Sequence, residues 1–292
     1  MKMNALKKLA VPLFVAFAYG PAQGLAEPIL GPDLATFAVL GATGGVTNVP
    51  TSTIGGNLGA FPSDMVGGGY LFTAGSLQPG NEDDAQLDLD AAFVTLGAFG
   101  VGTNTGSDLD AYQALNGGVI IPGTYTVAAT TTPNLTGDLI LDGQGNIDAV
   151  WVFQFPSTFI TSTTSNVSIQ NVGDGSGVGV YWNVGSAATL NGPTMVGNVL
   201  ARELISSDGN LTVACGRLLV SEGAVTLIQD SISIVGCGAD NTPGGGSGGF
   251  DQGADIGSGG IVVGAPEPGT LLLFGFGLAG LFTFRKRLFP VA

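Results

Sequence analysis

The feature that most constrains this chain is a short repeat in residues 178–227, VGVYWNVGSAATLNGPTMVGNVLARELISSDGNLTVACGRLLVSEGAVTL. Strand-like runs alternate with Gly/Asn turns, and no helical period is present. Thr194, Thr212 and Ser231 recur at spacings of 18 and 19, and so do Thr189, Ser207 and Thr226. A period below 20 built from strands and tight turns predicts stacked coils, each coil adding one rung. The expected class is all-β, a parallel solenoid.

Residue parity then separates inside from outside, because neighbouring side chains on a strand point to opposite faces. Leu211 and Val213 oppose Thr212 and Ala214; Val225 and Leu227 oppose Ala224 and Thr226; Ile232 and Ile234 oppose Ser231 and Ser233. The outward sets are small, uncharged, and hydroxylated or β-branched. Trp151 and Trp182 fall in strongly apolar strands and are expected in the core.

One helix interrupts this pattern, from about residue 81 to 99. Asn81 is the expected N-cap, followed by Glu82, Asp83 and Asp84, where carboxylates favour the helix dipole. Ala85, Leu89, Ala92, Phe93 and Leu96 form its apolar stripe. The acidic residues, including Asp88 and Asp90, read as a solvated face and not as a metal site. Asp142–Asp148 (DGQGNID) spaces oxygen ligands as a calcium loop would, but lacks the closing Glu, so it reads as a turn. No metal or other cofactor is expected.

The ends read as targeting segments. Lys2, Lys7 and Lys8 precede the apolar Leu9–Ala18 and small residues up to Ala26, a secretory signal over residues 1–26. The apolar run is shorter than the about 20 residues that span a bilayer. Residues 236–265 are a Gly-rich linker. Pro266-Glu267-Pro268 is followed by the apolar Leu271–Phe284 and then Arg285-Lys286-Arg287. This order resembles the PEP-CTERM sorting signal of Gram-negative bacteria. The resemblance implies a transient transmembrane helix in the tail, processing by exosortase-type machinery, and delivery to the cell surface or outside the cell.

Between the ends, residues 27–265 hold only Arg202 and Arg217 against 21 Asp and Glu, a net charge of −19. Such a surface repels nucleic acid. Export also allows a disulfide. Cys215 and Cys237 are the only cysteines, and a bridge pinning the last rung is favoured over two free thiols.

Leu34–Leu40 (LATFAVL), Thr53–Gly59 (TIGGNLG), Asp84–Ala92 (DAQLDLDAA), Leu115–Val127 (LNGGVIIPGTYTV) and Leu135–Phe155 carry a more specific likeness. With Tyr181–Leu190 (YWNVGSAATL), Gly197–Ala201 (GNVLA) and Gly216–Leu227 (GRLLVSEGAVTL), this block resembles the microbial ice-binding (antifreeze) β-solenoid family. The resemblance implies an irregular right-handed β-helix over residues 27–235, with one long α-helix alongside and the N-terminal segment joined to the same stack. It also implies ice as the partner, met by a flat Thr/Ser/Ala face. The first candidate face is the row Thr194, Thr212 and Ser231, with neighbours Asn198, Ala214 and Ser233. The second is the row Thr189, Ser207 and Thr226.

Parallel β-helices include polysaccharide lyases and hydrolases, so the fold class by itself leaves catalysis open. The chain has no His, and residues 27–265 have no Lys. The commonest general base and every Schiff-base route are therefore absent. No catalytic residue is assigned. The rival reading is a surface or matrix adhesin whose partner is exopolysaccharide.

Overall fold

The computed structural model describes residues 29–78, 82–173 and 178–235. The N-terminal part holds β1 (Phe37–Gly41), β2 (Gly45–Gly55), β3 (Asn57–Ala60) and β4 (Val66–Ala74). Helix α1 (Glu82–Ala98), β5 (Thr103–Gly106), α2 (Leu109–Leu115) and β6 (Gly123–Val127) follow. Next come β7 (Asp138–Asp142), β8 (Val150–Phe155), β9 (Phe159–Ile160), β10 (Asn166–Gln170), β11 (Gly179–Val184) and β12 (Ala187–Leu190). The series ends with β13 (Thr194–Ala201), β14 (Leu204–Ser207), β15 (Thr212–Val220), β16 (Ala224–Leu227) and β17 (Ser231–Ser233).

Every strand pairing is parallel, and the pairings sort the strands into three sides. The α1 face holds β8, β11, the second halves of β13 and β15, then β1 and β3. The β16 face holds β9, β12, β14, β16, then the starts of β2 and β4. The β17 face holds β7, β10, the first halves of β13 and β15, β17, then the ends of β2 and β4. The chain is thus the stack of coils that its period predicts.

Chain order and stack order differ at one place. β17 follows β15 on the β17 face, β1 follows β15 on the α1 face, and β2 follows β16 on the β16 face. One coil is therefore assembled from the last strand and the first two. The coils of β2–β4 continue the stack beyond it.

The interior is apolar and continuous. Tyr125, Phe153 and Trp182 form an aromatic column across three coils, with centroids 5.5 and 4.4 Å apart. Both indoles are fully buried and still donate: Trp151 Nε1 to the Ile120 carbonyl (3.0 Å) and Trp182 Nε1 to the Val196 carbonyl (2.8 Å). These bonds satisfy the one polar group of each ring.

Several outward residues of the α1 face are apolar because α1 covers them. Ala85, Leu89, Ala92, Phe93 and Leu96 pack against Val150, Val152, Tyr181, Leu200 and Leu219. Gln86 Nε2 donates to the carbonyls of Gly41 (2.8 Å) and Val220 (3.0 Å), joining β1 and β15. Asp88 is not wholly solvated: it accepts from the backbone N–H groups of Asp33 (2.9 Å) and Leu34 (3.2 Å). Asp83, Asp84 and Asp90 are exposed, as a solvated face requires, while Glu82 is buried. Asn81 lies outside the described residues.

The single-helix expectation needs correcting, since α2 is a second helix of seven residues. Asp108 caps it by accepting from Ala111 N (2.9 Å). Gln113 on α2 stands in for a strand beside β7, donating to the Asp138 carbonyl (2.8 Å) and accepting from Ile140 N (2.7 Å).

Candidate functional site

α1 covers one side of the stack, so two sides present strand side chains outward. On the β16 face the register is unbroken from β12 to β2. Thr189 lies opposite Ser206, Ser206 opposite Thr226, and Thr226 opposite Thr47. Ile160 extends this row beyond Thr189. A second row runs Ala187, Leu204, Ala224, Gly45. Between these rows Ala188, Ile205, Val225 and Val46 are fully buried and anchor the strands. The strands of this face, FI, AATL, LISS, AVTL and GVTN, contain no charged residue.

Ser207 does not belong to this row. It is 7 % exposed and points inward, where its hydroxyl donates to Asp230. The outward residue is Ser206. Thr189 to Ser206 is 17 residues and Ser206 to Thr226 is 20, so a spacing of 18 lands one residue too far. A shift of one residue on a strand reverses the side.

On the β17 face, Thr194 lies opposite Thr212, Thr212 opposite Ser231, and Ser231 opposite Thr53. Ala214 lies opposite Ser233 in the adjacent row. This row also runs into Asn166, Asp138 and, at the far end, the exposed Leu71. Thr194 Oγ1 donates to Asn166 Oδ1 (3.0 Å), and Asn166 Nδ2 donates to Asp138 Oδ1 (2.9 Å). Asn198 is not a neighbour of these residues. It is fully buried on the α1 face and accepts from Arg217 Nη1 (2.9 Å). The reason is a bend: Gly197 (φ 87°) and Cys215 (φ 55°) turn the strands around a corner. A Cβ on Gly216 would fall onto the Gly197 carbonyl oxygen, so this corner is closed by backbone contact.

The corner between the two uncovered faces holds a buried polar spine. The Asp230 carboxylate accepts from Ser207 Oγ, Leu211 N (2.9 Å) and Ile228 N (2.9 Å). Asp230 N donates to Ser52 Oγ (2.8 Å), and Ser52 Oγ donates to Asn48 Oδ1 (2.7 Å). Asn48 Nδ2 reaches the Gly69 carbonyl. Burial raises the Asp230 pKa, and its three hydrogen bonds oppose that rise. Further along the same corner, Thr161 Oγ1 accepts from Asn191 N (2.9 Å) and Gly192 N (3.1 Å).

The DGQGNID segment is a turn. Asp142 accepts from Gln144 N (2.8 Å), Gln170 Nε2 (2.8 Å) and Asn171 Nδ2 (2.8 Å), and these bonds lower its pKa. Both carboxylate oxygens are thus engaged by amides. Among the described residues no three Cys, Asp or Glu converge as a metal site would require. Cys215 is disulfide-bonded, and Cys237 lies outside the described residues. Residues 1–28 and the Pro266-Glu267-Pro268 tail also lie outside them. Among the described residues no helix is long and apolar enough to cross a membrane.

Known proteins share this architecture. The family described as Ice-binding-like matches residues 40–233, and the PEP-CTERM protein-sorting motif matches residues 265–287. An ice-binding protein of Nostoc sp. (strain HG1) is 32 % identical over 246 residues, covering 80 % of this chain and 84 % of that protein. The crystal structure of an ice-binding protein from the Antarctic ascomycete Antarctomyces psychrotrophicus aligns with a TM-score of 0.57 and 27 % identity. That alignment covers 71 % of this chain and 98 % of the other. An ice-binding protein from an Antarctic biological consortium aligns with a TM-score of 0.55 and 23 % identity, over 80 % of this chain and 96 % of that one. This last likeness concerns the fold.

Proposed function

Because the chain belongs to the Ice-binding-like family, we propose that it adsorbs to ice through the β16 face, without catalysis. One observation carries the choice of face: Thr189, Ser206, Thr226 and Thr47 stand in register on four consecutive coils whose strands carry no charge. Coil spacing sets the row repeat at about 4.8 Å. Threonine has few rotamers, and its methyl and hydroxyl groups stay in place from rung to rung. A level array of methyl and hydroxyl groups holds its surface water in fixed positions, and that layer can merge with a crystal. Lysine or glutamate side chains would roughen the plane and disorder the water.

The row first favoured from sequence, Thr194–Thr212–Ser231, leads to the Asp138 carboxylate at one end and Leu71 at the other. The β16 face has neither interruption among carboxylates nor a bulge in its central strands, and it is the better candidate. Polysaccharide recognition commonly uses an exposed aromatic platform, and both tryptophans are fully buried.

The export reading rests on the two ends. The PEP-CTERM match supports sorting by exosortase-type machinery, with residues 27–235 as the ice-adsorbing body and residues 236–265 as its tether. The test is ice-crystal shaping and thermal hysteresis of the purified full chain. Faceted crystals and a hysteresis gap are expected. Round crystals with no gap would sink the proposal.

A further inference from the structure

We infer that the outer side of α1 is a self-association surface, on which a second copy of this chain packs its own α1 antiparallel across a twofold axis. This does not depend on the ice-binding reading and concerns the side of the stack that carries neither uncovered strand face. Helix α1 has 17 residues and is apolar on two sides. One stripe packs against the coils, as described above. Leu87, Ala91, Val94 and Ala98 form the other and are exposed. Their 4-3-4 spacing is the one by which a helix presents a seam to a second helix. Leu87 is 67 % exposed and Val94 74 %. A helix that only covers a core keeps its outer side polar.

The stripe is its own complement, and this identifies the occupant. Two antiparallel copies centred between Ala91 and Val94 set Leu87 against Ala98 and Val94 against Ala91. A large side chain then meets a small one at every level, which lets the helices approach. A parallel pair would set Leu87 on Leu87 and Ala91 on Ala91, and would bring the two acidic first turns, with Asp83 and Asp84, together. Charge favours the same arrangement. Residues 27–265 hold only two cations, and Arg217 is fully buried. The other, Arg202, is partly exposed and lies beside the stripe, its guanidinium 4.4 Å from the Phe93 ring centroid. Asp90 is exposed three positions before Phe93, hence on the same flank of the helix. A twofold axis perpendicular to the helices joins like flanks, so Arg202 of each copy stands beside Asp90 of the other. The contact is about 25 Å long. That is at the small end for protein interfaces, so the dimer is weak and depends on concentration.

The experiment is sedimentation velocity of the purified full chain over a concentration series, with melting by circular dichroism to verify folding. Wild type should pass from monomer to dimer as concentration rises. Leu87→Glu and Val94→Glu should each weaken the dimer about tenfold or more, because a carboxylate would enter the seam. Ala98→Leu should weaken it by overpacking. Adding Leu87→Ala to Ala98→Leu should bring it back to within about twofold of wild type, since the large–small pair is then formed in reverse. Thr226→Lys, on the β16 face, should leave the equilibrium unchanged. A wild type that stays monomeric at every concentration overturns the inference. So does a dimer that Leu87→Glu and Val94→Glu leave intact, which places the contact elsewhere in the chain. A double variant no better than Ala98→Leu overturns the antiparallel arrangement.

Discussion

Ser206 and Ser207 are adjacent in sequence and face opposite sides of the coil wall. Ser206 stands outward between Thr189 and Thr226, while Ser207 is buried and donates to Asp230. Substitution at these two positions should therefore separate adsorption from folding. Ser206→Lys should abolish ice shaping and leave the melting temperature within a few degrees of wild type. Ser207→Ala should keep ice shaping and lower stability by about 1–3 kcal/mol, the cost of a buried carboxylate losing a donor. Reversed outcomes in a paired hysteresis and thermal-melt experiment would mean the register is misassigned.

Asp230 gives the body a pH dependence. Its pKa is raised in the fold by burial, so the fold favours the protonated form. The stability it contributes is complete below its ordinary value of 3.8 and is lost as pH rises through the higher folded value. Asp230→Asn should flatten this component. Melting temperatures measured from about pH 3 to about pH 7 should fall more for wild type than for Asp230→Asn. Parallel curves would contradict the assignment.

The two arginines of the body should differ sharply. Arg217 is fully buried and donates to Asn198 Oδ1 (2.9 Å) and to the Ala35 carbonyl (2.6 Å), tying the N-terminal block to β15. Arg217→Ala strands both acceptors and leaves a cavity, a loss of about 3 kcal/mol or more. Arg202 lies over the Phe93 ring at 4.4 Å and is partly exposed. Arg202→Ala should cost about 0.5–1 kcal/mol. Urea unfolding of both variants checks the ratio.

Gly216→Ala tests the corner between the β17 and α1 faces. The added methyl meets the Gly197 carbonyl, which is backbone and cannot rotate away. A loss of about 2 kcal/mol or more is expected, with lowered yield of folded protein. A neutral result would mean the coils can move apart at that bend.

Much of this architecture is legible in the residues alone, for a physical reason. Parity on a strand survives any coil length, so Leu211, Val213, Val225, Leu227, Ile232 and Ile234 are correctly read as interior. The stripe of α1 is equally secure because helical spacing is fixed. Counting across turns is not secure, since turns absorb different numbers of residues, and that slip exchanged Ser206 for Ser207. Parity along β13 fails for Asn198 because a bend at Gly197 moves the second half of the strand to another side. Helix α2 leaves no period in the sequence because two turns are too short to show one. The polar spine left no sequence signal, as Asn48, Ser52, Ser207 and Asp230 lie far apart in the chain.

The coil shared by β17 and β1 makes this body a clasp. Val39 meets Leu218, 179 positions further along the chain. During synthesis the first strands emerge with β3 and β4 on one side, and their other side waits until β15, β16 and β17 have followed. Closure is therefore a late event, governed by the slow meeting of distant segments. A chain cut short before Ser231 would leave the end of β2 on the β17 face paired on one side only, by β4.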